Sequence, residues 1–186
     1  AFQTEALTAG KVGSVTAMPF ADEDRLDQQA KGFDLIIAAG TLDSVNDLPG
    51  ALIQIRRSLQ PDGLFLGAMF GAGTLAHLKK IMFLADGEKV AAHVHPQIEL
   101  RSAADLLSRT GFALPVADKI GYDVRYSSWK AAVADLRDAG LGNCLASSRS
   151  FLGRNYPAQL DMAWARNSDE EAKVTERFEF IHLSGW

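Results

Sequence analysis

The sequence predicts an α/β fold: a mostly parallel sheet with helices on both faces and an antiparallel edge. Three observations predict it. The stretch "KGFDLIIAAGTLDSVNDLPGALIQIRRSLQPDGLFLGAMFG", residues 31–71, reads as strand, loop, helix, turn and strand, which is one β-α-β unit. Its two strand segments, Phe33–Gly40 and Leu64–Phe70, are continuous apolar runs, the pattern of parallel strands buried on both faces. Strand-like runs then return late in the chain, where they would add antiparallel neighbours. The 186 residues suffice for one domain with a substantial core, and the contents of 47% hydrophobic and 23% charged residues are those of an ordinary globular protein.

The elements follow in order. Val12–Phe20 is a short strand ending at a proline, and residues 21–32 are polar, a surface loop or short helix. After the strand at Phe33, Asn46 or Asp47 caps a helix with Pro49 in its first turn, where a missing N–H costs nothing. Leu48, Leu52, Ile55 and Leu59 share one face of it, and Gln60-Pro61-Asp62-Gly63 stops it. A helix is expected at Thr74–Ala85. Ser102–Thr110 is another, with Ser102 and Asp105 as a capping box and Gly111 just past its end. Two strand pieces flank Gly121. Ser128 caps a helix that sets Trp129, Val133 and Leu136 on one side. A last helix lies near Pro157–Arg166, and Arg177–Trp186 closes the chain as a strand.

Composition excludes several classes of function. The net charge is −4, and the basic clusters, Arg56-Arg57 and Lys79-Lys80, are too short for a nucleic-acid surface. No apolar run approaches the roughly 20 residues of a membrane span. A single cysteine, Cys144, precludes an intramolecular disulfide and fits a reducing, cytoplasmic setting. No signal peptide is visible, and the start at Ala1 suggests processing or a partial chain.

Two clusters invite a chemical reading. Gly71–Ala76, "GAGTLA", has the G-x-G-x-x-A spacing of a dinucleotide fingerprint between a strand and a helix. The acid expected about 20 residues on is not convincing, since Glu88 is early and Glu99 late. A plain tight turn is the structural alternative. His93 and His95 are spaced H-x-H, so on a strand both would face one side and could begin a metal site with Asp86, Glu88 or Glu99. Two ligands are not a site, and no metal is expected. No G-x-S-x-G elbow is present.

At "AMPFADE" and "FDLIIAAGTLDSVNDLPGALIQIRRSLQPDGLFLGAMF" the chain resembles the class I S-adenosylmethionine-dependent methyltransferase family. The matching features are the "LPF"-like turn Met18-Pro19-Phe20, the "FDLI" strand, and "PDG" followed by "LFL". The remainder, "HPQIELRSAADLLSRTGFALPVADKIGYDVRYSS" and "FEFIHLSGW", is similar to the branch that holds the biotin-synthesis malonyl-carrier-protein methyltransferase and the mitochondrial complex I assembly factor. The resemblance implies a Rossmann-like sheet of strand order 3-2-1-4-5-7-6. It places the family's first two strands, its acidic-Gly-x-Gly-x-Gly cofactor loop and its ribose-binding acid before Val12. Residues 1–186 then read as a single methyltransferase-like domain, N-terminally incomplete, in which the fourth strand becomes a bare apolar edge open to a second copy.

The resemblance also implies a cofactor, S-adenosylmethionine, whose binding by this chain the missing loop would weaken. It puts Ala17, Met18 and Pro19 near the adenine. Gly40, Thr41 and Leu42 fall on the methionine and substrate side. Where the family often has an adenine-binding acid the chain has about Ser14, and its aromatic His-Trp pair reads Asp43-Ser44 here. Methyl transfer to a small-molecule or protein acceptor is the implied function. The alternative is a non-catalytic or hydroxylase-type assembly factor on the same scaffold. A nicotinamide-binding protein using "GAGTLA" is a third reading, with little support.

Overall fold

Asp47 starts the first helix, α1 (Leu48–Ser58), by accepting the Gly50 N–H at 2.9 Å, with Pro49 in the opening turn. Its inward stripe is the one the spacing predicts: Leu52 and Ile55 are buried, and Leu48 packs against the same core. The helix joins β1 (Phe33–Ala39) to β2 (Leu59–Phe70), and the two strands run parallel. β2 begins five residues earlier than expected. The register passes from Phe33 opposite Leu59 to Leu35 opposite Leu64, and Asp62 takes φ 62° inside this irregularity. Pro61 and Gly63 therefore end the helix without ending the strand pairing.

The computed structural model describes residues 12–17, 32–87, 93–139, 141 and 153–186. Residues 12–17 are irregular, so the strand expected over Val12–Phe20 is not formed in that part; its last three residues, and 21–31, lie outside the described residues. Cys144 lies outside them too.

The sheet has the order β1-β2-β4-β3, with β3 at Val116–Tyr126 and β4 at Val174–Gly185. β4 is antiparallel to both β2 and β3. This is the 4-5-7-6 portion of the order that the resemblance implies. β3 is one continuous strand and not two pieces. Gly121 stays in the ladder opposite Glu179, and the Arg177 guanidinium lies where its Cβ would stand.

The remaining helices are α2 (Ala76–Asp86), α3 (Leu100–Arg109), α4 (Trp129–Asp138) and α5 (Tyr156–Asn167). The expected capping box is absent: α3 starts at Leu100, so Ser102 and Asp105 lie inside it. Its other end is as expected. Gly111 takes φ 89°, its N–H reaches Ser108 O, and the Phe112 N–H reaches Leu107 O, both at 3.3 Å, which is a Schellman closure. Ser128 caps α4 by accepting the Ala131 N–H at 3.2 Å. Ala132 and Leu136 are its buried residues, while Trp129 and Val133 are half-buried.

Strand alternation divides the sheet into two faces. On one, Ala38, Phe65, Met69, Ile181 and Leu183 pack under α1 and α3. On the other, Tyr126 and Val174 pack under α2, α4 and α5, through Leu78, Ile81, Leu160 and Trp164. Phe65, Leu78, Ile81, Leu107 and Ile181 are fully enclosed, and each such side chain contributes about 2–3 kcal/mol. The second face is covered only in part. Leu35 and Ile37 are 44% and 48% exposed, so β1 is buried on one face and not on both. Among the described residues β1 is an edge of the sheet. No helix among the described residues is long and apolar enough to cross a membrane.

Candidate functional site

In an open α/β sheet ligands sit beyond the carboxyl ends of the strands. Two turns stand there side by side, one after β1 and one after β2.

The first is built from Gly40–Ser44. Gly40 takes φ 65°, and its N–H donates to Ala68 O at 2.9 Å, which keeps the turn on β2. Leu42–Ser44 form a short 3-10 turn. Leu42 is buried in the core beneath α1, so only its backbone is available to a ligand. The Phe70 N–H donates to Asp43 Oδ1 at 2.5 Å, tying the turn to the end of β2. Burial raises the Asp43 pKa; the Phe70 N–H, its own N–H and the charge of His95 oppose the rise. Two buried polar atoms of this turn, Thr41 Oγ1 and Asp43 Oδ2, have no hydrogen-bond partner among the described residues. An orphan of this kind costs about 1–3 kcal/mol. Among the described residues, a Cβ added at Gly40 would meet nothing within 4 Å. A hydroxyl and a carboxylate oxygen without partners fit a cationic or hydrogen-donating ligand group. They do not supply a ribose or adenine contact set. Of the other expected residues, Ala17 is exposed in an irregular stretch, and Met18 and Pro19 lie outside the described residues.

The second turn is "GAGTLA", and it is closed by the protein itself. The Gly71 N–H donates to Glu179 O at 2.8 Å, Ala72 N–H to Ile98 O at 2.9 Å and Leu75 N–H to Arg177 O at 2.9 Å. The Thr74 hydroxyl donates to Glu179 O and accepts from Glu179 N–H, each at 3.0 Å. The Glu179 carboxylate fills the space above the glycines. A Cβ at Gly71 would stand 2.4 Å from Oε1, and one at Gly73 3.0 Å from Oε2. Lys119 Nζ, 2.9 Å away, holds the Glu179 pKa down, with help from the Gly73 N–H. At the amino end of α2 a second carboxylate, Glu176, is buried. Burial raises its pKa against the opposing His77 charge and the His77 and Leu78 N–H groups. The space above the glycines, where a pyrophosphate would approach, is thus occupied by the Glu179 carboxylate. The plain-turn alternative is the observed one.

A third feature joins two residues the sequence had set together as possible metal ligands, His93 and Asp86, to one it had not, Tyr156. His93 Nε2 lies 2.8 and 3.0 Å from the two oxygens of Asp86, whose side chain is 0% exposed. The Tyr156 hydroxyl is 3.2 Å from the same nitrogen, and the two rings stack at 5.9 Å. Burial, then Asp86, pushes the Tyr156 pKa well up, so its hydroxyl keeps its proton. His93 and His95 do not share a strand face. They lie in an irregular segment, where His93 pairs with Asp86 and His95 acts on Asp43. Among the described residues no group of three or more His, Cys, Asp or Glu could hold a metal ion. His93 and His95 line a cavity of about 300 Å³ with Lys79, Phe83, Asp86 and Gln97. Lys79 Nζ donates to Gln97 Oε1 at 2.6 Å and to Ala72 O at 3.3 Å. The sequence signal was the H-x-H pair with Asp86 as a possible oxygen donor; Tyr156, 70 residues beyond Asp86, carried none.

Comparison with known proteins agrees with this architecture. The family described as "Methyltransferase domain" matches residues 13–115. The mouse protein named arginine-hydroxylase NDUFAF5, mitochondrial, is 35% identical over 172 residues, which are 89% of this chain and 50% of that protein. The Laribacter hongkongensis malonyl-acyl-carrier-protein O-methyltransferase is 28% identical over 171 residues, 91% of this chain and 56% of the relative. The chain therefore spans about half the length of these curated relatives. A solved structure of a candidate methyltransferase from Bacillus halodurans superposes with a TM-score of 0.53 at 10% identity, covering 97% of this chain and 74% of that one, a likeness of fold alone. Over more than half its length, and with the sheet order described above, this chain belongs to the methyltransferase-domain family.

Proposed function

We propose that this chain supplies the methionine and acceptor side of an S-adenosylmethionine site in a methyl-transferring protein. One observation carries the reading: two buried polar atoms, Thr41 Oγ1 and Asp43 Oδ2, have no hydrogen-bond partner among the described residues in the turn at the carboxyl end of a parallel strand, in a chain of this family. The cofactor, when bound, supplies an activated methyl group. The chain's part is to bind and orient, which is the main demand of an in-line displacement. Gly40 leaves room for the ligand, while the Thr41 hydroxyl and the Asp43 oxygen are assigned to its ammonium end. Ala17, Met18 and Pro19 are assigned to the adenine by resemblance. No acidic-Gly-x-Gly-x-Gly stretch occurs in these 186 residues, so the adenosine end is weakly held by them. Calorimetric titration with S-adenosylhomocysteine tests this. Saturable heat is expected, and adenosine alone should give none. Equal heats from the two, or none from either, would overturn the assignment.

A second reading has its own support. The relative with 35% identity is named an arginine-hydroxylase, against 28% for the O-methyltransferase. Under it the same scaffold serves a hydroxylase-type or non-catalytic assembly protein acting on another protein. Mass spectrometry of candidate acceptors separates the two, since a methyl adds a CH₂ and hydroxylation an oxygen atom. We assign one further partner, a second copy pairing through β1, because that edge strand exposes Leu35 and Ile37. Sedimentation equilibrium should show a dimer that Ile37→Lys dissociates, and a monomer at all concentrations would remove it.

A further inference from the structure

We propose that His93 is the proton acceptor for an O–H or N–H group docked in the cavity between α2 and the 93–98 segment, with Asp86 and Tyr156 as its positioning residues. The identity of that ligand as the methyl acceptor rests on the methyltransferase reading; the site itself does not.

The Asp86 side chain is 0% exposed and sits against His93 Nε2 at 2.8 and 3.0 Å. A carboxylate can only accept, so Nε2 carries the hydrogen and Nδ1 carries the basic lone pair. Tyr156 retains its proton and donates to Asp86, so the carboxylate is satisfied from two sides and the ring is held in one tautomer. The other charged groups of the cavity are engaged. Lys79 is held by Gln97 and the Ala72 carbonyl, and His95 acts on Asp43. Nδ1 is the nitrogen outside this network, and His93 lines the cavity.

Size and lining narrow the ligand. About 300 Å³ is the lower limit of small-molecule sites, which run to about 1,000 Å³. That is too small for an adenosyl cofactor and enough for a side chain or ring bearing one donor. Phe83, Val94 and Pro96 supply apolar wall. His95 links the cavity to Asp43, and so to the turn after β1. In the step, the ligand's O–H or N–H bond breaks, the proton moves to Nδ1, and the bonding pair stays on the ligand atom. The imidazolium so formed is held by the Asp86 carboxylate. An acceptor that is already a carboxylate has no proton to give, so the site selects alcohols, phenols or amines.

Nitrogen-15 NMR of histidine-labelled full chain tests this, with phenol and acetate as probes. Neutral His93 should be protonated at Nε2. Phenol should move its Nδ1 resonance and leave that of the exposed His182 in place, and acetate should move neither. Asp86→Asn should mix the two tautomers of His93 while thermal melting shows the chain still folded. An Nδ1–H tautomer, or an Nδ1 resonance that acetate moves and phenol does not, overturns the proposal. A chain that passes this test but gives no heat with S-adenosylhomocysteine keeps the His93 site and loses the methyltransferase reading.

Discussion

Two turns at adjacent strand ends differ in what fills them. After β2, "GAGTLA" has the glycine spacing of a nucleotide loop, yet the Glu179 carboxylate stands 2.4 Å from a Cβ at Gly71, and the N–H groups of Gly71, Ala72, Thr74 and Leu75 all donate to protein carbonyls. After β1, a single glycine with no motif around it meets no neighbour among the described residues, and two buried oxygens of its turn have no hydrogen-bond partner there. Glycine spacing thus reports only that something approaches the backbone closely. Whether that thing is a ligand or the protein's own side chain is settled by where the polar atoms of the turn find partners.

The comparison can be broken most forcefully at Gly71. Gly71→Ala drives a methyl into Glu179 and should cost about 1–3 kcal/mol in urea denaturation. Glu179→Ala in the same chain should recover part of that loss. Gly40→Ala meets no neighbour and should cost only the roughly 1 kcal/mol of a left-handed backbone. Equal costs at the two positions would mean that the turns are not different.

The carboxylates of β4 give a finer test through pH. Lys119 and the Gly73 N–H hold the Glu179 pKa below its usual 4.5, so its stabilisation is complete above pH 4.5 and is lost as pH falls through the lower folded value. Burial raises Glu176, so its contribution has the opposite sign: stability rises as pH falls from the folded value toward 4.5. Glu176→Gln should therefore increase the melting temperature at pH 7, and Glu179→Gln should lower it and flatten the acid limb of the stability profile. A Glu176→Gln variant less stable than the parent at pH 7 would show that its charge is well compensated.

The smallest effect is expected in the open turn. Thr41→Val removes an oxygen that bonds to nothing among the described residues, so it should leave stability unchanged or raise it by about 1 kcal/mol. The same variant should weaken S-adenosylhomocysteine binding about fivefold, the worth of a hydrogen bond of about 1 kcal/mol. A loss of stability instead would assign the Thr41 hydroxyl to the fold.

Local chemistry was the legible part of this sequence. Asp47 with Pro49, Ser128, and Gly111 past α3 each act within three or four residues, and each was placed correctly. The order β1-β2-β4-β3 was legible only through family resemblance, because no local signal says which strands meet. The misreadings came where a distant group intervenes. Pairing with β4 carries β3 through Gly121, and pairing with β1 carries β2 through Pro61 and Gly63. The His93 cluster was legible only in part: His93 and Asp86 were set together as possible metal ligands, while Tyr156 on α5 meets them only after α2 and α5 come together in the second core. The H-x-H spacing pointed to a shared strand face, and the backbone there is not a strand.

Amide chemical-shift mapping with S-adenosylhomocysteine tests the central claim most directly. The account predicts that the N–H resonances of Gly40–Asp43 move on titration while those of Gly71–Leu75 stay in place. Movement at Gly71–Leu75 with none at Gly40–Asp43 would contradict it.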